Sequence, residues 1–506
     1  MRFHLGKPVL AMLLVAAAAG AVLLVRDKPG RATVEVWTFA KPHAELYERL
    51  RPDAERAAGG GVSVRVVPSN ALNVRLVSLF MAGRAGDELP DVVEIRQDAL
   101  GRYLGPPTPQ VGFLPLNDLL ATTGERTIAS PEVPGQKGWS ARAASDGRVY
   151  THDGTGWQPD AAKPHGDRWI DRLVRQRLVP YTKDGLIFGL PHDVHPTTLT
   201  YRADLFAEAG VDLESPTPGL DHVSWPDFHE RCLRFQAYWR SKGVADRWAL
   251  DLFGANGDLL AAMLLQRGVN LVEPGGKVRL ADPVVADTLL FYAAMVAGPR
   301  RASADSVSGG LGVWKRDLEA GVVCAVVTPD WRVADLRSTV GSGPLAGRFR
   351  MCRLPKFDAV DAPTTTWGGT MVAIPRRCRD PQRAWRAVEA LYLSREATDA
   401  QARDLGILPA VADSWVSPAV RTPDPLFGGQ VVNDLYVELA PKIPVQHLSP
   451  DSAYATSGLG YVLTQAVGAI RGGAEPASLR PQVLAWLAAR QADVERQIAQ
   501  NRQASP

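Results

Sequence analysis

The chain is poor in cysteine, with four in 506 residues: Cys232, Cys324, Cys352 and Cys378. None forms a C-x-x-C pair, which excludes zinc-knuckle and thioredoxin-type motifs. Outside the cytoplasm an even count permits disulfides without choosing a pairing. Cys352–Cys378 is the better candidate pair, and Cys232 reads as a small residue on an apolar helix face. Charge of one sign is lacking too: 57 basic residues stand against 54 acidic ones, a net of +3. Nothing in that balance calls for a nucleic acid partner, and Arg300-Arg301 and Arg376-Arg377 read as solvated loop ends. There is no H-E-x-x-H, no G-x-x-x-x-G-K-[S/T] and no G-x-S-x-G, so the commonest zinc-protease, P-loop and α/β-hydrolase signatures are missing. The Gly341–Gly347 stretch holds a proline, follows no clear strand and reads as a loop. Paired carboxylates for glycoside hydrolysis stay open, because Asp and Glu are numerous and no pair stands out.

Long apolar runs are absent but for one, Val9–Val25, of 17 residues. Arg2, His4 and Lys7 precede it and Arg26-Asp27-Lys28 close it, the outline of an export signal. Ala17-Ala18-Ala19 offers a cleavage site, yet Ala21–Val25 continues apolar to the short edge of a bilayer span. A cleaved signal and a retained anchor both fit. No cysteine follows the run, which excludes a lipid anchor. The positive flank places the body outside the cytoplasm.

What is present is α/β patterning. Thr33–Phe39 alternates as a strand, Lys41–Ala58 reads as a helix ended by Gly59-Gly60-Gly61, Val62–Val67 is a second strand, Asn70–Ala82 a helix, and Asp91–Ile95 a third strand. This order predicts a parallel sheet covered by helices, with ligand beyond the carboxyl ends of its strands. Those ends are Trp37-Thr38-Phe39 and Glu94-Ile95-Arg96-Gln97. Ala121–Lys183, rich in Gly, Pro, Asp and Trp, reads as a long excursion. Ser224 opens a well-signalled helix, with Pro226 in its first turn and Asp227 completing an S-x-x-D box. Asp380 and Pro381 open another, and Ser452–Ile470 and Pro481–Ile498 close the chain with helical patterns.

Between Gly189 and Phe228 two short apolar runs, Leu186–Leu190 and Thr197–Tyr201, flank His192-Asp193-Val194-His195, which Pro191 and Pro196 bracket. His192, Asp193 and His195 make a metal cluster on paper, but extended backbone alternates side chains between faces, so no metal site is expected. Trp37, Trp331 and Trp367 stand at predicted strand ends or turns. A flat indole covers the apolar face of a sugar ring while polar neighbours serve its hydroxyls; the competing role is packing. Trp225 and Trp385 sit in amphipathic register and read as core.

Six segments then occur in one order: Trp37-Thr-Phe; Leu89-Pro-Asp-Val-Val-Glu; Gly112-Phe-Leu-Pro-Leu-Asn-Asp-Leu-Leu; Tyr201-Arg-Ala-Asp-Leu-Phe-Ala-Glu-Ala-Gly; Ser224-Trp-Pro-Asp-Phe; and Thr366-Trp-Gly-Gly-Thr with Ile374-Pro and Ala384-Trp. In that order they resemble the extracellular solute-binding proteins of ABC importers, in the sugar-binding group that includes maltose-binding protein. The resemblance implies the two-lobed periplasmic-binding-protein fold (type II), with α/β lobes joined by a hinge over a ligand cleft. Lobe 1 would hold 32–194 and 371–430, and lobe 2 195–370 and 431–506, with Leu190–Pro196 crossing between parallel sheets on either side. It implies a monomer outside the inner membrane that carries a carbohydrate, perhaps an oligosaccharide, to importer permease subunits, with no reaction and no cofactor. The implied ligand contacts are Trp37, Arg96, Gln97, His192, Asp193, Asn256, Trp331, Trp367 and Gly369. A tethered receptor using the same clamp, and a carbohydrate-active enzyme, are the alternatives.

Overall fold

A computed structural model describes residues 33–83, 88–121, 140–143, 149–152, 157–159, 168–305, 316–341 and 343–504. The run Val9–Val25 and most of the expected Ala121–Lys183 excursion lie outside the described residues.

The stretch from Val34 to Arg96 alternates as its patterning predicts: β1 (Val34–Thr38), α1 (Lys41–Ala58), β2 (Val62–Val66), α2 (Ser69–Met81) and β3 (Val92–Arg96). α1 starts with Pro42 in its first turn, buries Leu46, Tyr47, Leu50 and Ala54 on one face, and stops where Gly59 takes φ 67°, the left-handed conformation that glycine adopts without strain. Then come β4 (Leu190–Pro191), β5 (Thr197–Arg202), α3 (Ala203–Glu208), α4 (Trp225–Ser241), α5 (Asp258–Gln266) and α6 (Pro283–Val296). They are followed by β6 (Ala325–Pro329), α7 (Asp330–Val340), β7 (Phe349–Cys352), β8 (Thr370–Ala373), α8 (Pro381–Val388), α9 (Ser452–Arg471) and α10 (Arg480–Ala504). Two predicted caps are in place: Ser224 Oγ accepts the Asp227 N–H at 3.2 Å, and Asp380 Oδ1 accepts that of Arg383 at 3.0 Å.

Two sheets organise the body. The first has the order β2-β1-β3-β8-β4. β2, β1 and β3 are parallel, as expected, while β8 runs antiparallel to both β3 and β4. The second has the order β6-β5-β7 and is antiparallel throughout, which corrects the expectation of a parallel sheet there. Its central strand β5 lies more than a hundred residues from both of its partners, so no β-α-β alternation along the sequence sets their direction. Trp225 and Trp385 are core residues. The candidate Cys352–Cys378 pair is not joined: all four cysteines are free. Cys352 lies in β7 of the second sheet, whereas Cys378 follows β8 of the first and places its Sγ 3.3 Å from Asp91 Oδ1.

The chain passes between the sheets twice in adjacent strips. One runs from β4 through residues 192–196 into β5, the other from β7 through Thr364–Gly369 into β8. Backbone and threonine groups lace them together. The Thr197 N–H reaches Thr365 O at 3.0 Å, and Thr364 Oγ1 donates to Thr197 O at 2.9 Å. The His192 N–H reaches Thr370 O at 2.9 Å. The fold thus has two α/β bodies over a laced pair of crossings, as the resemblance implied.

Candidate functional site

Above the crossings lies a cavity of about 1210 Å³, larger than the roughly 300–1,000 Å³ of ordinary small-molecule sites. The first sheet contributes Phe39, His43, Arg96, Gln97 and Asp98 at and just beyond the carboxyl ends of β1 and β3. The crossings contribute Asp193, His195 and Thr366–Thr370. The second body contributes Asn256–Asp258, Trp331, Ala334 and Asp335, the segment leading into α9 adds Gln446 and Ser449, and α9 itself adds Tyr461.

Seven of the nine expected contacts line this cavity: Arg96, Gln97, Asp193, Asn256, Trp331, Trp367 and Gly369. Trp331 is not in a turn but in the first turn of α7, and its Nε1 donates to Trp367 O at 3.1 Å. The two indoles meet edge to face with centroids 5.8 Å apart, and Phe253 backs Trp367 at 6.3 Å. Both indoles are part-exposed. Gly368 passes under Trp331, where an added Cβ would sit 3.1 Å from its Nε1. Arg96 is exposed and paired with Asp98. Asn256 is exposed and accepts the Asp258 N–H at 2.7 Å, which fixes the start of α5. Asp335, one turn after Trp331, has its carboxyl raised by burial against the opposing pull of Arg332. Gln97 is committed internally: its Oε1 accepts from Arg177 Nη2 at 2.9 Å, and its amide donates to Gln446.

Trp37 and His192 do not line the cavity. Trp37 is on the face of β1 that packs on α2. It is 1% exposed, clusters with Leu72 and Leu76, lies under Arg75 at 4.6 Å, and donates from Nε1 to Glu35 at 2.8 Å. His192 is one layer behind the wall, its ring stacked on that of His43 at 4.3 Å. Among the lining residues outside the expected contacts are two histidines, His43 and His195. His43 sits just past the end of β1, so the strand-end rule that selected Trp37 also points to it. His195 belongs to the same proline-bracketed segment as the expected contacts His192 and Asp193 and, unlike His192, reaches the cavity.

Behind the wall is a buried polar cluster. Glu94 is 0% exposed and accepts from Thr38, Tyr47, Tyr392 and His43, the last two at 3.2 and 3.0 Å. Burial alone would raise its carboxyl. Nearby His43 and His192 and the donated hydrogen bonds outweigh that and hold it at about 2. Ligand atoms of His43, Glu94 and His192 lie within 4.8 Å of one another. Four donors already fill the carboxylate, and the two imidazoles are stacked rather than converging on a point as metal ligands do. The cluster therefore reads as a hydrogen-bonded support for the cavity wall. What the cavity offers chemically is indole faces, carboxylates and amides around a large space of mixed polar and apolar lining.

The model of the bacterial extracellular solute-binding protein family matches residues 54–424. An arabinooligosaccharide-binding protein of Halalkalibacterium halodurans is 20% identical over 401 residues, 78% of this chain and 75% of its own length. A lactose-binding protein of Rhizobium radiobacter is 25% identical over 279 residues, 52% of this chain and 59% of its own. The sugar-binding protein MalE from Xanthomonas citri shares the fold, with a TM-score of 0.64 at 17% identity over 92% of this chain and 99% of its own.

Proposed function

Because the chain belongs to the bacterial extracellular solute-binding protein family, whose members bind solutes and catalyse no reaction, we propose that its inter-lobe cavity captures a carbohydrate, of oligosaccharide size, for an ABC importer. The observation that carries the reading is the part-exposed Trp331–Trp367 pair in a cavity of about 1210 Å³ that also presents Asp335, Asn256 and the Arg96–Asp98 pair. Indoles suit the C–H faces of sugar rings, and carboxylates and amides suit their hydroxyls. The names of the arabinooligosaccharide- and lactose-binding relatives support the same class.

In this reading Trp331 and Trp367 stack on the ligand, and Arg96, Asn256 and Asp335 bond its rim. Gln97, Asp193 and Gly369 shape the floor. Lobe 1 comprises 32–194 and 371–430, lobe 2 195–370 and 431–506. Ligand that touches both lobes favours the arrangement in which both contacts form, by its differential affinity alone. The loaded monomer then meets permease subunits at the inner membrane, on the periplasmic side. Among the described residues no helix is long and apolar enough to cross a membrane. A thermal-shift screen of the purified chain against saccharides, amino acids, peptides and polyols tests the proposal, since a ligand that binds only the folded form raises the midpoint by mass action. An upward shift with a di- or oligosaccharide is expected. A shift with another solute class and none with any saccharide removes the carbohydrate assignment.

A further inference from the structure

The tetrapeptide His192–His195, which the sequence singles out, contains a residue joined to both walls of the cavity. His195 lies in the crossing between β4 and β5 with φ 55°, a left-handed backbone that a non-glycine residue holds only when its surroundings over-determine it. Its Nε2 is 3.1 Å from Asp193 Oδ2, and its Nδ1 bonds to Asp330 Oδ1 at the head of α7. Both ring nitrogens therefore meet carboxylates. A neutral imidazole has one N–H, so donating to both requires the imidazolium.

Each aspartate holds one wall. Asp330 also accepts the N–H of Trp331 at 2.8 Å and of Leu408 at 2.7 Å, which fixes the turn of α7 that carries Trp331 and Asp335 into the cavity. Asp193 pairs with Arg177 at 3.2 Å. That guanidinium donates in turn to Gln97 Oε1 and Thr366 Oγ1, both at 2.9 Å. Asp193, Arg177, His195 and Asp330 are all nearly fully buried. Two carboxylates against Arg177 leave one negative charge over, and a protonated His195 cancels it. Buried charge persists where it is paired in this way.

We propose that His195, as an imidazolium, is a positioning residue for ligand binding that locks the Gln97–Thr366 wall and the Trp331–Asp335 wall into the arrangement a ligand meets. The ligand part rests on the cavity being the solute site. The charged groups facing the ring are Asp193 from its own segment and Asp330 from α7. Arg177 and His192 stand behind Asp193, Tyr436 stands behind Asp330, and the neighbouring Thr366–Gly368 stretch brings no charge. Burial alone would expel the ring proton; the two carboxylates outweigh it and raise the imidazolium to about 9. The lock is therefore complete at neutral pH and released as pH rises through about 9.

The test uses the full chain, His195→Gln and Asp330→Asn, with maltotriose as probe, from pH 7 to 10. Nitrogen-15 NMR is expected to show one histidine protonated on both nitrogens at pH 7 and titrating near 9, absent from His195→Gln. Small-angle scattering of the ligand-free variants at pH 7 is expected to match the wild type above pH 9 rather than at 7. Maltotriose affinity is expected to fall at least tenfold at pH 7 in either variant, and in the wild type only as pH exceeds 9. A neutral His195 at pH 7 overturns the proposal, as does His195→Gln with wild-type scattering at pH 7. If the wild type ignores maltotriose, the carbohydrate reading loses support, while the ligand-free NMR and scattering still decide the role of His195. Should His195→Gln fail to fold, Asp330→Asn, which keeps the ring, carries the same comparison.

Discussion

Gly369→Ala is predicted to be among the most damaging single-methyl changes in the crossings. Gly369 has φ 144°, and a Cβ there would lie 2.1 Å from Gln97 Oε1 and 2.2 Å from Arg177 Nη2. Neither atom can withdraw cheaply. Arg177 is 1% exposed and tied to Asp193 and Thr366, and Gln97 is held by Gln446. The backbone conformation alone costs a non-glycine residue about 1–3 kcal/mol. Breaking the 2.9 Å Gln97–Arg177 hydrogen bond, which involves a charged donor, adds about 1.5–3 kcal/mol. The sum is roughly 2.5–6 kcal/mol by those two contributions. Gly368→Ala is the control: its φ is 92°, but its Cβ would meet Trp331 Nε1 at 3.1 Å, so only the backbone part applies in full, about 1–3 kcal/mol. Urea unfolding of both variants measures the difference as a shift in midpoint at unchanged slope. A Gly369→Ala variant within about 1 kcal/mol of wild type, or one less affected than Gly368→Ala, would refute this account of the floor.

Three further outcomes are expected. Glu94 is held at about 2 against an ordinary 4.5. A folded value below the unfolded one gives stability that is full above about pH 4.5 and lost as pH falls toward 2, about 3 kcal/mol in all; Glu94→Gln should flatten the fall in urea midpoint across the acid range, and an unchanged slope with pH would contradict it. Trp37→Ala should cost about 3–5 kcal/mol of stability as a core truncation while the affinity of the folded fraction stays within twofold, whereas Trp331→Ala should weaken saccharide binding about tenfold or more; calorimetric titration beside a denaturant melt separates the two. Alkylation in denaturant without reductant should label four thiols, since all four cysteines are free, and mass spectrometry reading two would restore a disulfide.

The sequence carried the first sheet well because local signals and the tertiary arrangement agree there. Pro42, the apolar face of α1 and the glycines at 59–61 set Lys41–Ala58 to the residue. The antiparallel second sheet was not legible, since β5 pairs with partners over a hundred residues away and local patterning is silent on direction. Trp37 shows the same limit at one position: alternation along β1 says that its neighbours point the other way, not which side holds the cavity. Trp331 was located at the right boundary but assigned to a turn, because Pro329-Asp330 breaks a strand and starts a helix with the same residues. His43 and His195 escaped for different reasons. His43 reaches the cavity from the head of a helix that reads as ordinary, and His195 depends on a partner, Asp330, 135 residues away.

The most direct test is a crystal structure of the chain with the saccharide that gives the largest thermal shift. The account predicts electron density for a sugar between the lobes, one ring on Trp331 or Trp367 and hydroxyls bonded to Asp335 or to the Arg96–Asp98 pair on the opposite wall. A saccharide bound elsewhere, such as the outer depression beside Arg168, Arg175 and His447, with the inter-lobe cavity empty, would contradict it.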